Sequence, residues 1–369
     1  MASFRDFVDR LRKEKRIKEI KKPISKNLDL AAVMYELDGS PVYAPKVNKT
    51  EFPAVGNVFC TRELVCDYLG IKKEELVPKL VDAIAKPTKP KQMSNGSAAS
   101  APILENSTID VDLSKLPIPI HFEKDGGPYL SSAIIVAKDK ELGQNMSFHR
   151  MMVIDRDRVV VRILKRHLQE FLDRAGGELD VAVIVGAPIN VLLAAATSVK
   201  LGQNEIEIAN SLAPVTTVKL ENGVEIPADV EFAFEARITK EIHDEGPFVD
   251  LTETYDVVRK QQVMKITKMY HRNNAIWHVL PPGGLEHKVL MGMPREPTIF
   301  TEVNKVCKCK RVNITPGGCS WLHAVVSIEK KSEDDGKKAI EAAFAGHKSL
   351  KHVAIVDEDI DVDNMMEVE

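Results

Sequence analysis

The chain is sparing with the residues that most readily betray a function. Its five cysteines, Cys60, Cys66, Cys307, Cys309 and Cys319, never fall in a C-x-x-C spacing, which argues against a zinc ribbon or a thioredoxin-like redox motif. Cys307-Lys308-Cys309 would place two thiols on one face of a strand, but Val303, Val306 and Val312 around them suit plain packing. The cysteines are therefore expected to be reduced and structural. Neither sign of charge is in marked excess, since the formal net charge is -3. No global field calls for nucleic acid or an anionic membrane surface. No apolar run is long enough to span a bilayer, and Met1-Ala2-Ser3-Phe4-Arg5-Asp6 does not resemble a signal peptide, so a cytoplasmic protein is expected. A G-x-x-x-x-G-K-[ST] loop and a G-x-G-x-x-G turn are both missing, which removes most support for ATP or dinucleotide binding.

What is present is an ordinary globular composition, 44% hydrophobic and 28% charged, in 369 residues. That length suits two or three domains. Phe4, Phe7, Val8 and Leu11 recur at helical spacing and predict an amphipathic first helix. Short strands are expected over 41–45 and 52–58, then helices over 61–69 and 71–85. Residues 86–102, rich in Pro, Lys, Ser, Asn, Gly and Ala, read as a linker. Beyond it the pattern turns to β, with strands expected over 131–138, 151–154, 159–163, 181–185, 215–220 and 230–238. Helices over 168–175 and 189–196 interrupt them. This suggests an α+β core or a barrel, not a doubly wound sheet. Strands over 311–315, 324–329 and 352–356 and a helix over 336–345 form an α/β tail. The expected division is 1–100, 101–300 and 301–369.

Two polar segments stand out against this background. Glu245-Gly246-Pro247-Phe248-Val249-Asp250 carries two carboxylates around a Gly-Pro pair that cannot continue a helix. Paired carboxylates in different environments can serve one as acid and the other as base. Upstream, Asn145, Ser147 and Arg150 bring an amide, a hydroxyl and a guanidinium within six residues. On a regular strand Arg150 would face away from the other two, so a bulge or turn is needed to unite them. An arginine beside a carboxylate keeps it ionised and can clamp a second one bidentately. His167 reads locally as a surface histidine at a helix start, and Glu205 as part of an acidic loop. An Asn oxygen, a His nitrogen and a Glu oxygen together would nonetheless suit Mn²⁺ or Mg²⁺.

Taken in order, Asn145-x-Ser147-x-x-Arg150, Ile226-Pro227-Ala228-x-x-Glu231 and Glu245-Gly246-Pro247-Phe248-x-Asp250 resemble the UbiD family of decarboxylases. The Asp125-Gly126-Gly127-Pro128-Tyr129 turn, the Pro316-Gly317-Gly318-Cys319 turn and Lys351 through Asp361 agree with it along the chain. The resemblance implies a central split β-barrel of flavin-reductase type, flanked by a small N-terminal α/β unit and a C-terminal α/β domain. It implies prenylated FMN as cofactor, supplied by a partner flavin prenyltransferase. Losing CO₂ from a vinylic or aromatic carbon leaves charge that no side chain can absorb, so a cofactor must carry that step. The same resemblance makes Asn145, His167 and Glu205 the ligands of a divalent metal at the cofactor phosphate. Ser147, Arg150, Arg166 and Lys351 join them around the cofactor, with Arg150, Glu245 and Asp250 catalytic and Asp250 the proton donor. A K⁺ ion held by the Ala196, Thr197 and Val199 region is a weaker part of the pattern. Relatives usually continue beyond the Asp-Ile-Asp strand, so the C-terminal domain is expected to be a shortened version.

The Lys- and Glu-rich surface and simple N-terminal unit resemble the archaeal branch of the family. There the expected reaction is decarboxylation of trans-anhydromevalonate 5-phosphate to isopentenyl phosphate, and His149, Arg162 and Lys165 are the nearby cations that could meet a substrate phosphate. An aromatic decarboxylase of the 4-hydroxybenzoate or polyprenyl-hydroxybenzoate type is the alternative. Six Tyr, two Trp and twelve Phe do not separate the two. A non-catalytic flavin- or metal-binding subunit is the reading from another class. A homo-oligomer is expected, with no nucleic-acid or membrane partner.

Overall fold

The computed structural model describes residues 3–94 and 100–369. Residues 1–2 and 95–99, on which the readings of the chain start and the linker partly depend, lie outside the described residues. Nine strands make the central sheet: β1 (Asn106–Thr108), β2 (Tyr129–Leu130), β3 (Ile134–Asp139), β4 (Gly143–Phe148), β5 (Met151–Val153), β6 (Arg158–Val161), β7 (Leu179–Val185), β8 (Phe232–Glu245) and β9 (Arg259–His271). Their order is β2-β5-β6-β9-β8-β7-β3-β4, with β1 added to β9. All these pairings are antiparallel.

The two ends of that order belong to one hairpin. Ile134 faces Phe148 in its first half, while Leu130 faces Met151 in its second. Residues 131–133 therefore run against only 149–150, a one-residue irregularity that bends the hairpin. One half pairs with β7 through β3 and the other with β6 through β5, so the hairpin closes the sheet into a barrel split at the bend. From Val181 to Val185 both faces of β7 are buried. Val181, Val183 and Val185 point into one apolar cluster, and Ala182 and Ile184 into the other, under the surrounding helices. That is why this strand reads as a continuous apolar run instead of an alternation.

The N-terminal helix α1 (Phe4–Lys13) is capped by a reciprocal Ser3–Asp6 box and buries Phe4, Phe7, Val8 and Leu11. It is tied to the barrel by Glu231, which is fully buried, accepts from Arg5 Nε at 3.2 Å and from the Ile276 N–H at 2.9 Å, and lies 3.6 Å from Arg272. The motif glutamate Glu231 thus fastens two units together. A four-stranded sheet also joins them, because Trp277–Val279 pairs with Ala54–Gly56. The linker reading needs correction, since Lys91–Gln92 forms a short strand parallel to Thr216–Lys219. At the other end, Lys308–Ile314, His323–Glu329 and His352–Asp357 form a three-stranded sheet under two helices. Cys307 precedes the first of these strands instead of sharing its face with Cys309, and all five cysteines are free.

Candidate active site

A cavity of about 500 Å³ opens at the bend of the split hairpin, in the size range of small-molecule sites. Asn145 and Ser147 reach it from β4 by the two-residue strand period, and Ser131, His149 and Arg150 from the bend itself. The irregularity supplies the turn that unites Arg150 with Asn145 and Ser147.

Arg150 is the hub of this end. Its Nε and Nη2 donate to the two oxygens of Glu245 at 2.9 and 3.0 Å. Nη1 donates to Asp250 at 3.3 Å, Nη2 also to Asp256 at 2.8 Å, and the guanidinium lies 4.8 Å over the Phe248 ring. Burial works against its charge, yet the hydrogen bonds to Glu245 and Asp256 outweigh it, and its pKa is raised. Asp256 is likewise desolvated, but Arg150 and Arg259 hold its pKa below the usual carboxylate range.

The two motif acids sit in opposite environments. Glu245 ends the fourteen-residue strand β8, is fully buried behind Arg150, and accepts from the Tyr129 hydroxyl at 3.0 Å. Asp250 lies on the cavity wall with its side chain 52% exposed, steadied by the Leu251 N–H at 2.6 Å. The Gly246-Pro247 corner between them is held by the Asp125-Gly126-Gly127-Pro128 turn, where the Gly126 N–H donates to the Pro247 carbonyl at 2.9 Å. A Cβ on Gly126 would stand 2.2 Å from the Gly246 oxygen, so only glycine permits this contact. Gly246 itself has φ +100°, a conformation natural to glycine.

The expected metal ligands also converge. Helix α2 (His167–Arg174) begins with His167, and helix α4 (Glu205–Leu212), which follows α3 (Ile189–Ala196), begins with Glu205. Glu205 is therefore no loop residue: Asn204 caps its helix by accepting from the Ile206 N–H at 3.1 Å. Glu205 accepts from Asn145 Nδ2 and from the Met146 N–H, both at 2.8 Å, and lies 4.0 Å from His167 Nδ1. Burial pushes its pKa up to about 7, and those hydrogen bonds only partly offset the desolvation. A buried carboxylate with an amide and an imidazole beside it fits a divalent cation. No cluster of three or more His, Cys, Asp or Glu suited to a metal occurs among the described residues. This trio includes an asparagine, whose oxygen would have to turn toward the ion.

Arg166 and the Ala196, Thr197 and Val199 segment line the same cavity, as do His149 and Arg162. Lys165 and Lys351 do not line it, and both are exposed. Sequence reasoning overlooked Asp256, His287 and Arg295, all on the cavity wall. Asp256 stands only six residues after Asp250 and was open to notice on that ground. No local pattern marks His287 or Arg295.

Three family models cover almost the whole chain. The 3-octaprenyl-4-hydroxybenzoate carboxy-lyase N-terminal domain matches residues 8–84, its Rift-related domain 95–285 and its C-terminal domain 288–369. The chain belongs to the UbiD family. Among UbiD relatives, the anhydromevalonate phosphate decarboxylase of Methanocaldococcus jannaschii is 43% identical over 351 residues, covering 93% of this chain and 82% of that protein. The enzyme of the same name from Methanosarcina mazei is 40% identical over 374 residues, covering 100% of this chain and 86% of the relative. An evolved dimeric form of the UbiD-class enzyme HmfF from Pelotomaculum thermopropionicum, solved in complex with prFMN, superposes with a TM-score of 0.95 at 34% identity, covering 100% of this chain and 88% of the other. The UbiD fold expected from the motifs, with its split barrel and flanking α/β parts, is the fold observed. No helix among the described residues is long and apolar enough to cross a membrane.

Proposed function

We propose that this chain decarboxylates trans-anhydromevalonate 5-phosphate to isopentenyl phosphate, using prenylated FMN bound in the cavity at the split of the barrel. The observation that carries the reading is Arg150, which grips buried Glu245 bidentately while touching Asp250 on the cavity wall. The archaeal relatives at 40–43% identity, named for anhydromevalonate phosphate, support the choice of substrate. When bound, the modified flavin supplies the electron sink that no side chain offers. The chain does the rest. Arg150 fixes both acids relative to the reacting carbon, and Phe248, Leu280 and Leu290 help keep water from it. Asp250 gives its proton to the carbon that loses CO₂, and its exposure lets solvent restore that proton. A mere flavin-binding subunit would have no use for this triad.

Asn145, His167 and Glu205 would hold Mn²⁺ or Mg²⁺ for the cofactor phosphate, with Ser147 and Arg166 beside the cofactor, and backbone oxygens near Ala196, Thr197 and Val199, of which the Ala196 carbonyl also accepts from Arg295, would hold K⁺. A flavin prenyltransferase supplies the cofactor, the chain works as a homo-oligomer in the cytoplasm, and its parts divide at 1–100, 101–300 and 301–369.

The test is to co-express the chain with a flavin prenyltransferase and assay CO₂ release from candidate acids. Release from the phosphorylated aliphatic acid, with none from hydroxybenzoates, is expected. Asp250→Asn should lose about 10²- to 10⁴-fold in turnover, the usual worth of a positioned proton donor, while retaining flavin. Holoprotein that turned over only aromatic acids would overturn the substrate, and holoprotein inert to all of them would overturn the reaction.

A further inference from the structure

One wall of the cavity is a single helical face. Helix α5 (Leu285–Gly292) and the 3-10 turn that extends it, Met293–Arg295, present His287, Leu290, Met291 and Arg295 to the cavity. Residues spaced by three, four and eight share a side of a helix. Eight residues advance about 12 Å along its axis. His287 stands at the Asp250 end, and its Nδ1 accepts the Gly283 N–H at 3.0 Å. Desolvation pushes its pKa down to about 4, so near neutral pH its ring is uncharged and its proton sits on Nε2. Leu290 and Met291 make the middle apolar. Arg295 closes the row.

Arg295 is an exception among the arginines. It is 7% exposed, and it is the only arginine in the buried class among the described residues. Nη2 donates to the Ala196 carbonyl at 2.8 Å, Nη1 donates to the Ser198 hydroxyl, and the guanidinium lies 5.2 Å over the Trp321 ring. Its Nε has no hydrogen-bond partner among the described residues. No carboxylate among the described residues pairs with it, and the one charge that acts on it appreciably is another cation, Arg166. A buried charge without a counter-ion is costly, which is the expected state of a site that receives its anion from outside.

We propose that Arg295, with Ser198, binds the terminal phosphate of the substrate, and that Leu290 and Met291 flank the carbon chain between that phosphate and the carboxylate reacting at Asp250. This deepens, and rests on, the substrate reading above. The proposed acid carries a charge at each end and only carbon between, the same order as the helical face. A guanidinium fork suits a phosphate dianion, and the Ser198 hydroxyl, which accepts from Arg295, still has its own proton to donate. The cations picked from sequence are worse placed. Arg162 already lies 3.8 Å from Asp256, His149 is engaged by Ser147 and the Arg162 carbonyl at 3.0 Å each, and Lys165 lies off the cavity wall.

The test compares wild-type holoprotein with Arg295→Met, Arg295→Lys and Ser198→Ala. Titration calorimetry with isopentenyl phosphate and kinetics with the phosphorylated acid are the readouts. Arg295→Met should weaken isopentenyl phosphate binding about 100-fold and raise KM by a similar factor, with kcat changing far less, as loss of a charge-assisted contact implies. Arg295→Lys should recover part of this. Ser198→Ala, which leaves the Trp321 packing alone, should cost about 3- to 10-fold. Flavin absorbance per chain should match wild type in all three. Undiminished binding by both Arg295→Met and Ser198→Ala would overturn the assignment. So would loss of flavin from Arg295→Met, because the guanidinium would then serve the cofactor's phosphate. Arg295-dependent binding of isopentenyl phosphate, with no CO₂ released by wild type from the phosphorylated acid, would overturn the reaction and leave the anion site standing.

Discussion

Two arginines face one cavity, and their surroundings are opposite in kind. Arg150 meets three carboxylates, Glu245, Asp250 and Asp256, at 2.8–3.3 Å. Among the described residues Arg295 meets none, and holds a carbonyl, a hydroxyl and an aromatic face. The first is neutralised within the chain, so its work is to position acids. The second keeps its charge uncompensated, which suits a group that waits for an anion. Counting arginines in a pocket says little; their partners separate scaffold from receptor.

The largest expected effect tests the scaffold side. Arg150→Met would strand Glu245 fully buried without its cation, and breaking a buried pair in this way costs about 3–5 kcal/mol. Denaturant unfolding should show that loss along with absent turnover, and Arg150→Lys should rescue little because an ammonium cannot replace the bidentate fork. Unchanged stability would mean that the Glu245 corner is held by the Gly126 turn alone.

A middling effect is expected from pH. Burial depresses His121 to about 3, and His149 and His287 to about 4. Above pH 6.5 folded and unfolded states are both neutral at these rings, so they impose no slope. Below it the unfolded chain takes up protons that the folded chain refuses, so stability falls from about pH 6.5 toward 4. The slope is up to about 1.4 kcal/mol per pH unit for each histidine. Urea midpoints at pH 7, 6 and 5 would show this, and His287→Gln should flatten the fall. A midpoint that is flat with pH would mean that these rings take up protons in the fold as readily as in the unfolded chain, and that the cavity wall becomes cationic below about pH 6.5.

The smallest effect lies outside the cavity. Lys351→Ala removes an exposed side chain, and should change stability by less than about 0.5 kcal/mol and leave flavin content at the wild-type level. Loss of flavin would bring this lysine into the site beside Arg166 and restore the contact that the motif resemblance implies.

Much of the fold was legible because it is local. The helix of residues 189–196 and the strand of 181–185 announce themselves by apolar pattern, and the structure has both. The apolar pattern ends strand β8 at Ile238, because Thr239 to Asp244 are polar except for Ile242. It continues to Glu245 because backbone pairing with β9 does not need apolar side chains. The acidic run around Glu205 reads as loop, although Asn204 before a helical run is itself a capping signal.

By itself, the sequence determined the locally patterned elements, though not β4, β9, α4 or α5, together with the family motifs and the chemical types present: two acids on a Gly-Pro corner and an Asn, His and Glu suited to a metal. Only the tertiary structure decided which charges meet. Arg150 and Glu245 stand 95 residues apart, and the hairpin bend that joins them is a matter of register between strands. That Arg295 pairs with no carboxylate among the described residues, while its chain neighbour Glu296 turns to Arg62, is likewise invisible along the chain. Burial and pairing are properties of neighbours in space, and they set what a charged group can do.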